Sequence, residues 1–350
     1  MRVTVLRTFS TSCNPIYDPL RALGNDVRVI VYDLMNVHNR GDYENHYRRL
    51  GAQGFEVLPD ARYFERLPAL VDSQAPDWVL MLGCCDAGGA LMPNVDVLAE
   101  IGRRRPFVHL CCDGSEKDWW PQLQRYHDAG CFALQVNIDG VKVGPIGEHG
   151  MTALCPISPA GYPDPPRPWA ERPVRLGFRG SYQLSDPPPG GYLHPRTPAI
   201  RSLLGAGLLT ISDRDHTDPS QAGYRDFLSQ CRCVWNHAAT GSGDRMHVKA
   251  RVIETALAGA LLIEPMGSPT EEWFKPGLDY LPYSADSDGL VPSISHILKL
   301  VDAHSHIFEM ANILRRKVLT HHSPAAFWGR VLEHLVQRQA LDLAEPMGHA

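Results

Sequence analysis

The sequence predicts an α/β fold in two similar halves, each built on a mostly parallel sheet covered by helices. Three observations carry that expectation. The chain has 350 residues, enough for two hydrophobic cores rather than one. Short apolar runs alternate with helical patterns through both halves, as in sheets whose parallel strands are buried on both faces. Between the halves, the stretch PISPAGYPDPPRP at 156–168 interrupts all periodicity and reads as a semi-rigid linker.

In the first half, strand-like runs fall at 3–6, 27–31, 78–82, 107–110 and 131–136, with helical patterns at 61–73 and 119–129. In the second half, strands are expected at 174–178, 208–211, 233–235, 261–263 and 281–283. Helices are expected between them at 197–205, 223–229 and 251–257, followed by a long helical pattern over 291–319 and a last helix at 325–338.

Composition removes several function classes. The net charge is −5 and the pI about 6.3, so the chain has no bulk electrostatic footprint for nucleic acid. The basic runs Arg103-Arg104-Arg105 and Arg315-Arg316-Lys317 read as solvated faces. The first residues already form a strand pattern and no apolar run approaches the ~18 residues of a membrane span, so a cytoplasmic protein without a secretory signal or integral membrane segment is expected. The nine cysteines include the vicinal pairs Cys84-Cys85 and Cys111-Cys112, but no C-x-x-C. They read as small core hydrophobes in a reducing compartment. Sixteen histidines form no H-E-x-x-H pair, and no metal is expected.

Absent motifs narrow the field further. The first strand leads into R7-T-F-S-T-S-C-N-P, with no G-x-G-x-x-G to bring a backbone against a dinucleotide pyrophosphate. No G-x-x-x-x-G-K-[ST] and no G-x-S-x-G occur either, which argues against a P-loop enzyme and an α/β-hydrolase.

The most informative segment runs over 247–283, HVKARVIETALAGALLIEPMGSPTEEWFKPGLDYLPY. Lys249 and Arg251 open an apolar helix whose one acid is Glu254, and small residues close it directly before the strand Leu261-Leu262-Ile263. Cations at a helix start oppose the helix dipole. A bound phosphate would explain them, since free backbone N–H groups, the positive helix end and both side chains would face it; plain solvation is the competing reading.

This segment, K249-A-R-V-I-E254-T-A-L-A-G259-A-L-L, resembles the carboxyl-terminal signature of group-1-type glycosyltransferases, closest to the spore-maturation (CgeB-like) family. The stretch E271-E-W-F274-K-P-G277-L-D-Y280 continues the resemblance, and His322-Ser323 with the helix after it completes it. The similarity covers about residues 175 to 335 well and the first 150 in outline. It implies the GT-B fold, two Rossmann-like lobes with a cleft between them. The expected division is an acceptor-side lobe at 1–155, the linker at 156–173, a nucleotide-sugar lobe at 174–324, and a helix and tail at 325–350 that cross back toward the first lobe.

The activity implied is transfer of a sugar from a nucleoside diphosphate sugar to an unidentified acceptor, without metal or cofactor and with retention. Two alternatives stay open: a non-catalytic nucleotide- or sugar-binding module, and a nucleotide-sugar epimerase of the same form. By the resemblance, Lys249 and Arg251 meet the donor diphosphate, and Glu254 accepts from the ribose hydroxyls; a dipole-stabilising acid is the other reading of Glu254.

The turn F178-R-G-S offers Gly180 for close backbone approach and Arg179 as a further charge, with Arg196 opening the next helix. The loop N236-H-A-A-T-G-S-G-D-R-M-H247 is a candidate sugar or phosphate pocket through Asn236, His237 and Asp244, or else a simple connection. Many group-1 enzymes carry a second Glu eight residues before the first; Met246 stands there in this chain. On the acceptor side, Asp113 follows the strand F107-V-H-L-C-C and is the candidate catalytic base, although D-G is also an ordinary turn signal.

Overall fold

The structure is a computed structural model of the chain and describes residues 1–8, 14–33, 56–57, 61–83, 94–112, 114–144, 146, 150–180, 182–183, 186–187, 191–212 and 222–344. The chain divides into two compact units. The first holds Met1–Ile138, Lys142–Ser158 and Pro324–Ala350; the second holds Asp139–Val141 and Pro159–Ser323.

The first unit is built on β1 (Arg2–Thr8), α1 (Asn14–Ala22), β2 (Asp26–Asp33), β3 (Glu56–Val57), α2 (Leu67–Ser73), β4 (Trp78–Leu82), α3 (Val95–Arg104), β5 (Phe107–Cys111), α4 (Trp120–Asp128), β6 (Leu134–Asn137) and β7 (Met151–Thr152). The strands lie in the order β3-β2-β1-β4-β5-β6-β7, every pairing parallel. Every residue of β4 and β5 is buried, which is why these strands read as unbroken apolar runs. Helix α3 starts where Asn94 Oδ1 accepts from Asp96 N at 3.0 Å, a side-chain N-cap.

The final helix, Pro324–Ala344, belongs to this unit, and its Trp328 ring lies 6.0 Å from that of Trp78, both buried. Truncating an aromatic anchor of this kind costs about 3–5 kcal/mol.

The second unit contains β8 (Val174–Phe178), α5 (Thr197–Gly205), β9 (Thr210–Ile211), α6 (Ala222–Gln230), β10 (Cys231–Trp235), α7 (Ala250–Leu257), β11 (Leu261–Pro265), β12 (Leu281–Tyr283), α8 (Leu290–Ala303) and α9 (Glu309–His321). Its strand order is β12-β11-β10-β8-β9, again all parallel. Its core gathers Leu176, Phe178, Trp235, Leu261, Ile263 and Tyr283 with the apolar face of α8. Gly259 stops α7 in the left-handed conformation (φ +65°), so the chain turns into β11 with almost no loop.

The pattern over 291–319 is two helices rather than one. The chain leaves helical geometry at His304 (φ −130°, ψ 89°) and makes a 3₁₀ turn, Ser305–Phe308, before α9. The break places the Phe308 ring in a stack with Trp169, 5.3 Å apart. A tertiary contact therefore overrides a continuous helical period.

Two further expectations are corrected. Arg315 and Lys317 are not simply solvated: Arg315 Nη2 pairs with Asp164 at 3.2 Å, and Lys317 Nζ pairs with the fully buried Asp279 at 2.7 Å. The two-residue strands β3 and β7, and the helices α1 and α3, were not anticipated by periodicity.

Cys111, Cys131, Cys155, Cys231 and Cys233 are buried free thiols, and burial pushes Cys131 up to about 11 and Cys231 up to about 12. Among the described residues, no helix is long and apolar enough to cross a membrane, and no cluster of three or more His, Cys, Asp or Glu is arranged to hold a metal.

Candidate functional site at the carboxyl ends of β8 and β10

The connectivity of the second sheet marks one location. From β8 the chain goes to β9 on one side; after α6 it returns to β10 on the other side of β8 and continues outward through β11 to β12. The strand order therefore reverses between β8 and β10, and in open parallel sheets ligands bind beyond the carboxyl ends at such a switch point. Arg179 and Gly180 follow β8, Asn236 and His237 follow β10, and Glu264 lies near the end of β11.

Arg251, in the first turn of α7, reaches back over this region and is only 8% exposed. Its guanidinium carbon lies 4.6 Å from the centre of the Phe178 ring. Nη1 donates to Asn236 Oδ1 at 3.0 Å, and Nη2 donates to the Arg179 carbonyl. Its buried Nε–H has no hydrogen-bond partner among the described residues.

Gly180 is explained by the same group. A Cβ there would lie 2.6 Å from Arg251 Nη2 and 3.2 Å from Arg196 Nη1, so the missing side chain admits two guanidinium groups. Arg196, 7% exposed, is the N-cap residue of α5.

Arg179 is also buried, at 8% exposure, and its guanidinium sits 5.2 Å over the Tyr224 ring of α6. Tyr224 in turn donates its hydroxyl to Glu254 Oε2 at 2.6 Å. Glu254 is half-buried, and burial raises its pKa; the Tyr224 bond and the charges of Arg251, Arg225 and Arg179 oppose that rise. Its carboxylate is thus taken up by α6, not by the backbone at the start of α7.

Lys249 is the N-cap residue of α7, in extended conformation (φ −70°, ψ 147°), and is half-buried rather than free in solvent. Its Nζ lies against His247 Nε2, and His247 Nδ1 lies 3.1 Å from Asp139 Oδ2, with His247 and Asp139 both buried.

His237 is half-buried and its Nδ1 has no partner among the described residues. Burial first, and then the positive charges of Arg196, Lys249, His194 and Arg251, push its pKa down to about 4. A neutral imidazole surrounded by cations marks a region of positive potential.

Two expected ligand contacts are reassigned. Asn236 is fully buried and its amide is consumed at both ends: Oδ1 accepts from Arg251, and Nδ2 donates to Glu264 Oε2 at 2.7 Å. Its carbonyl accepts from the Tyr283 hydroxyl at 2.9 Å. Asn236 thus supports the site and does not line it. Asp244 is exposed and serves its own turn, accepting from Ser242 Oγ and from Thr240 Oγ1. That turn is closed by an antiparallel bridge between Ala239 and Met246, and Met246 is 40% exposed. Asp113 lies outside the described residues.

Glu264 and Tyr224 escaped the sequence reading. Glu264 carried one signal, a lone acid closing the apolar run L261-L-I-E264 just before the hydroxyl-rich G-S-P-T.

The comparisons agree with this architecture. Residues 200–333 match a family model described as glycosyl transferase-like. The chain is similar in structure to Alr3699/HepE of Anabaena in complex with UDP, at 14% identity and a TM-score of 0.60, over 96% of this chain and 100% of that one. It is similar to a glycosyltransferase from Rickettsia africae ESF-5, at 9% identity and a TM-score of 0.61, over 97% and 98%. It is similar too to sucrose-phosphate synthase from Thermosynechococcus elongatus, at 11% identity and a TM-score of 0.55, over 96% and 99%. These likenesses establish the fold: two parallel-sheet, Rossmann-like α/β units of the GT-B glycosyltransferase type. No curated protein sequence gives a significant match.

Proposed function

We propose that the chain is a glycosyltransferase that moves a sugar from a nucleoside diphosphate sugar to an acceptor, with protein cations meeting the charge of the diphosphate. The observation that carries the reading is the gathering of Arg196, Lys249 and Arg251 around Gly180 and His237, beyond the carboxyl ends of β8 and β10, with the Arg179 guanidinium beside them over Tyr224. The glycosyl transferase-like match over 200–333 spans the same region, and the GT-B structures of similar fold include Alr3699/HepE in complex with UDP-glucose.

In the reaction, the bond between the sugar anomeric carbon and the β-phosphate oxygen breaks, and a bond to the acceptor oxygen forms. The acceptor hydroxyl gives up its proton. The departing diphosphate gains negative charge, so preorganised cations stabilise the transition state more than the ground state. In this reading Lys249, Arg251 and Arg179 face the diphosphate, Gly180 leaves them room, and Glu254 accepts from the ribose. Asp113 takes the acceptor-side base role. Retention of configuration and a CgeB-like relationship belong to the same reading, as what the resemblance of K249-A-R-V-I-E254 to the group-1 signature implies.

A second reading has its own support. Met246, exposed where many group-1 enzymes carry an acid, suits a module that binds the nucleotide sugar without transferring it.

The test is a thermal-shift series with UDP, GDP, dTDP, ADP and their sugars. One nucleotide should raise the melting temperature, with a stabilisation of about 2.7 kcal/mol at a hundredfold excess over its Kd. Lys249→Ala should leave the unliganded melting temperature unchanged and abolish most of that shift. A well-folded protein that responds to none of these ligands would overturn the proposal. Tight binding with neither transfer nor donor hydrolysis would select the module.

A further inference from the structure

Glu264 is the acid that the proposed reaction does not use. It is fully buried, and burial raises its pKa against the pull of its three hydrogen bonds and the charge of Arg251. Its oxygens divide the work. Oε1 accepts from Ser268 Oγ at 3.0 Å and from Thr270 Oγ1 at 2.8 Å, which fixes the turn after β11. Oε2 accepts from Asn236 Nδ2 at 2.7 Å, and the other end of the same amide accepts from Arg251 at 3.0 Å.

The donor and acceptor order along this chain is forced. Glu264 accepts at both oxygens, from two hydroxyls and from Asn236 Nδ2, so Asn236 presents its NH₂ group to β11 and its oxygen to α7. That oxygen receives Arg251, a cation that can only donate. A buried acid is expensive unless its oxygens are hydrogen-bonded, and here two of the three bonds fix the turn while the third goes to Asn236. Arg251 donates to Asn236 and Arg179 and meets the Tyr224 hydroxyl, and among the described residues its buried Nε–H has no hydrogen-bond partner, so one donor of the guanidinium is left for a ligand.

We infer that Glu264 is a positioning residue: through Asn236 it sets the orientation of the Arg251 guanidinium toward the anionic group of the ligand. The inference rests on the proposed function for the identity of that ligand, a nucleoside diphosphate.

A polarity swap tests the inference. In Glu264→Gln, Ser268 Oγ, which already accepts from Thr270 N at 3.3 Å, keeps donating to the amide oxygen, and the NH₂ group faces Asn236. The Asn236 amide must then turn and offer its own NH₂ to Arg251, donor against donor. In the double variant Glu264→Gln/Asn236→Asp, the introduced carboxylate accepts from the introduced amide at one oxygen and from Arg251 at the other, restoring the order. The probe is UDP binding by calorimetry, together with the Nε–H resonance of Arg251, assigned by its loss in Arg251→Lys.

Glu264→Gln should weaken UDP binding by about tenfold to a hundredfold, the range for a lost hydrogen bond to a charged group. The double variant should return to within about threefold of wild type. Thr270→Val, which touches only the turn arm, should lower the melting temperature and leave affinity alone. The inference is overturned if Glu264→Gln binds UDP as wild type does, or if the double variant is no better than the single one.

A wild-type chain that binds no nucleoside diphosphate would instead sink the proposed function. The relay would still be decided by the Arg251 resonance, which must move in Glu264→Gln and return in the double variant. If Glu264→Gln does not fold, a folded double variant with near wild-type affinity supports the relay, and an unfolded or inert one overturns it.

Discussion

Arg251 Nη1 donates to Asn236 Oδ1 at 3.0 Å, so the cation at the head of α7 and the loop leaving β10 behave as one unit. Lys249, two residues earlier, is tied instead to His247. The two basic residues look alike in sequence, yet Arg251 is built into the strand ends and Lys249 is half-buried at the helix boundary. This separation decides which substitutions change binding alone and which also change the fold.

Gly180→Ala belongs to the second kind. The added methyl would sit 2.6 Å from Arg251 Nη2 and 2.9 Å from Phe178 Cζ. Overpacking of this degree costs about 1–3 kcal/mol. Because Arg251 is one of the groups displaced, the cost should shrink in an Arg251→Lys background, where no Nη2 is present. Urea denaturation of the four proteins of that cycle reads the coupling; strictly additive costs would show that the two positions do not meet.

The strands were legible because a parallel strand buried on both faces needs an apolar run, and β4, β5 and β11 fall where such runs stand. The edge strands β3 and β7 carry two residues each, too few for any period to register. Lys249 and Arg251 were legible as charges placed against a helix dipole. Their partners were not: Asn236 looked like a ligand contact because polar loop residues often are one. Only the fold reveals that its amide lies between a buried acid and a buried arginine. Glu264 was hidden for a related reason, since hydrogen-bond satisfaction is settled by neighbours distant in sequence.

The pair Lys317–Asp279 is a matter of stability and not of the site. Asp279 is fully buried; its Oδ2 accepts from Lys317 Nζ at 2.7 Å and from Lys275 N at 2.7 Å. Lys317→Ala removes the countercharge and leaves one backbone donor. A loss of about 1–3 kcal/mol is expected, below the full cost of breaking a buried pair because the lysine side chain is 34% exposed. Arg316→Ala, on the exposed neighbour, should stay within about 0.5 kcal/mol of wild type. Equal effects of the two substitutions in chemical denaturation would return this run to the solvated face that its sequence suggests.

His237 connects the electrostatics of the site to pH. Its pKa falls from 6.5 to about 4, by burial and then by the surrounding cations. The unfolded chain therefore holds more protons than the folded one between these values. Stability should rise with pH across that window and be lost on acidification through it, by at most about 3 kcal/mol from this residue. His109, buried in the first unit and also lowered to about 4, adds a term of the same sign, so the measurement is the difference between wild type and His237→Asn.

A bound diphosphate reverses part of this. Its negative charge offsets Arg196, Lys249, His194 and Arg251, so protonated His237 becomes less costly and binding takes up a proton. A terminal phosphate itself titrates near pH 6, and the same difference removes that contribution. Calorimetry of UDP binding in buffers of different ionisation enthalpy at about pH 5.5, between the two pKa values, should show greater proton uptake for wild type than for His237→Asn. Identical uptake in both would place the anion away from His237 and break the assignment of these cations to one site.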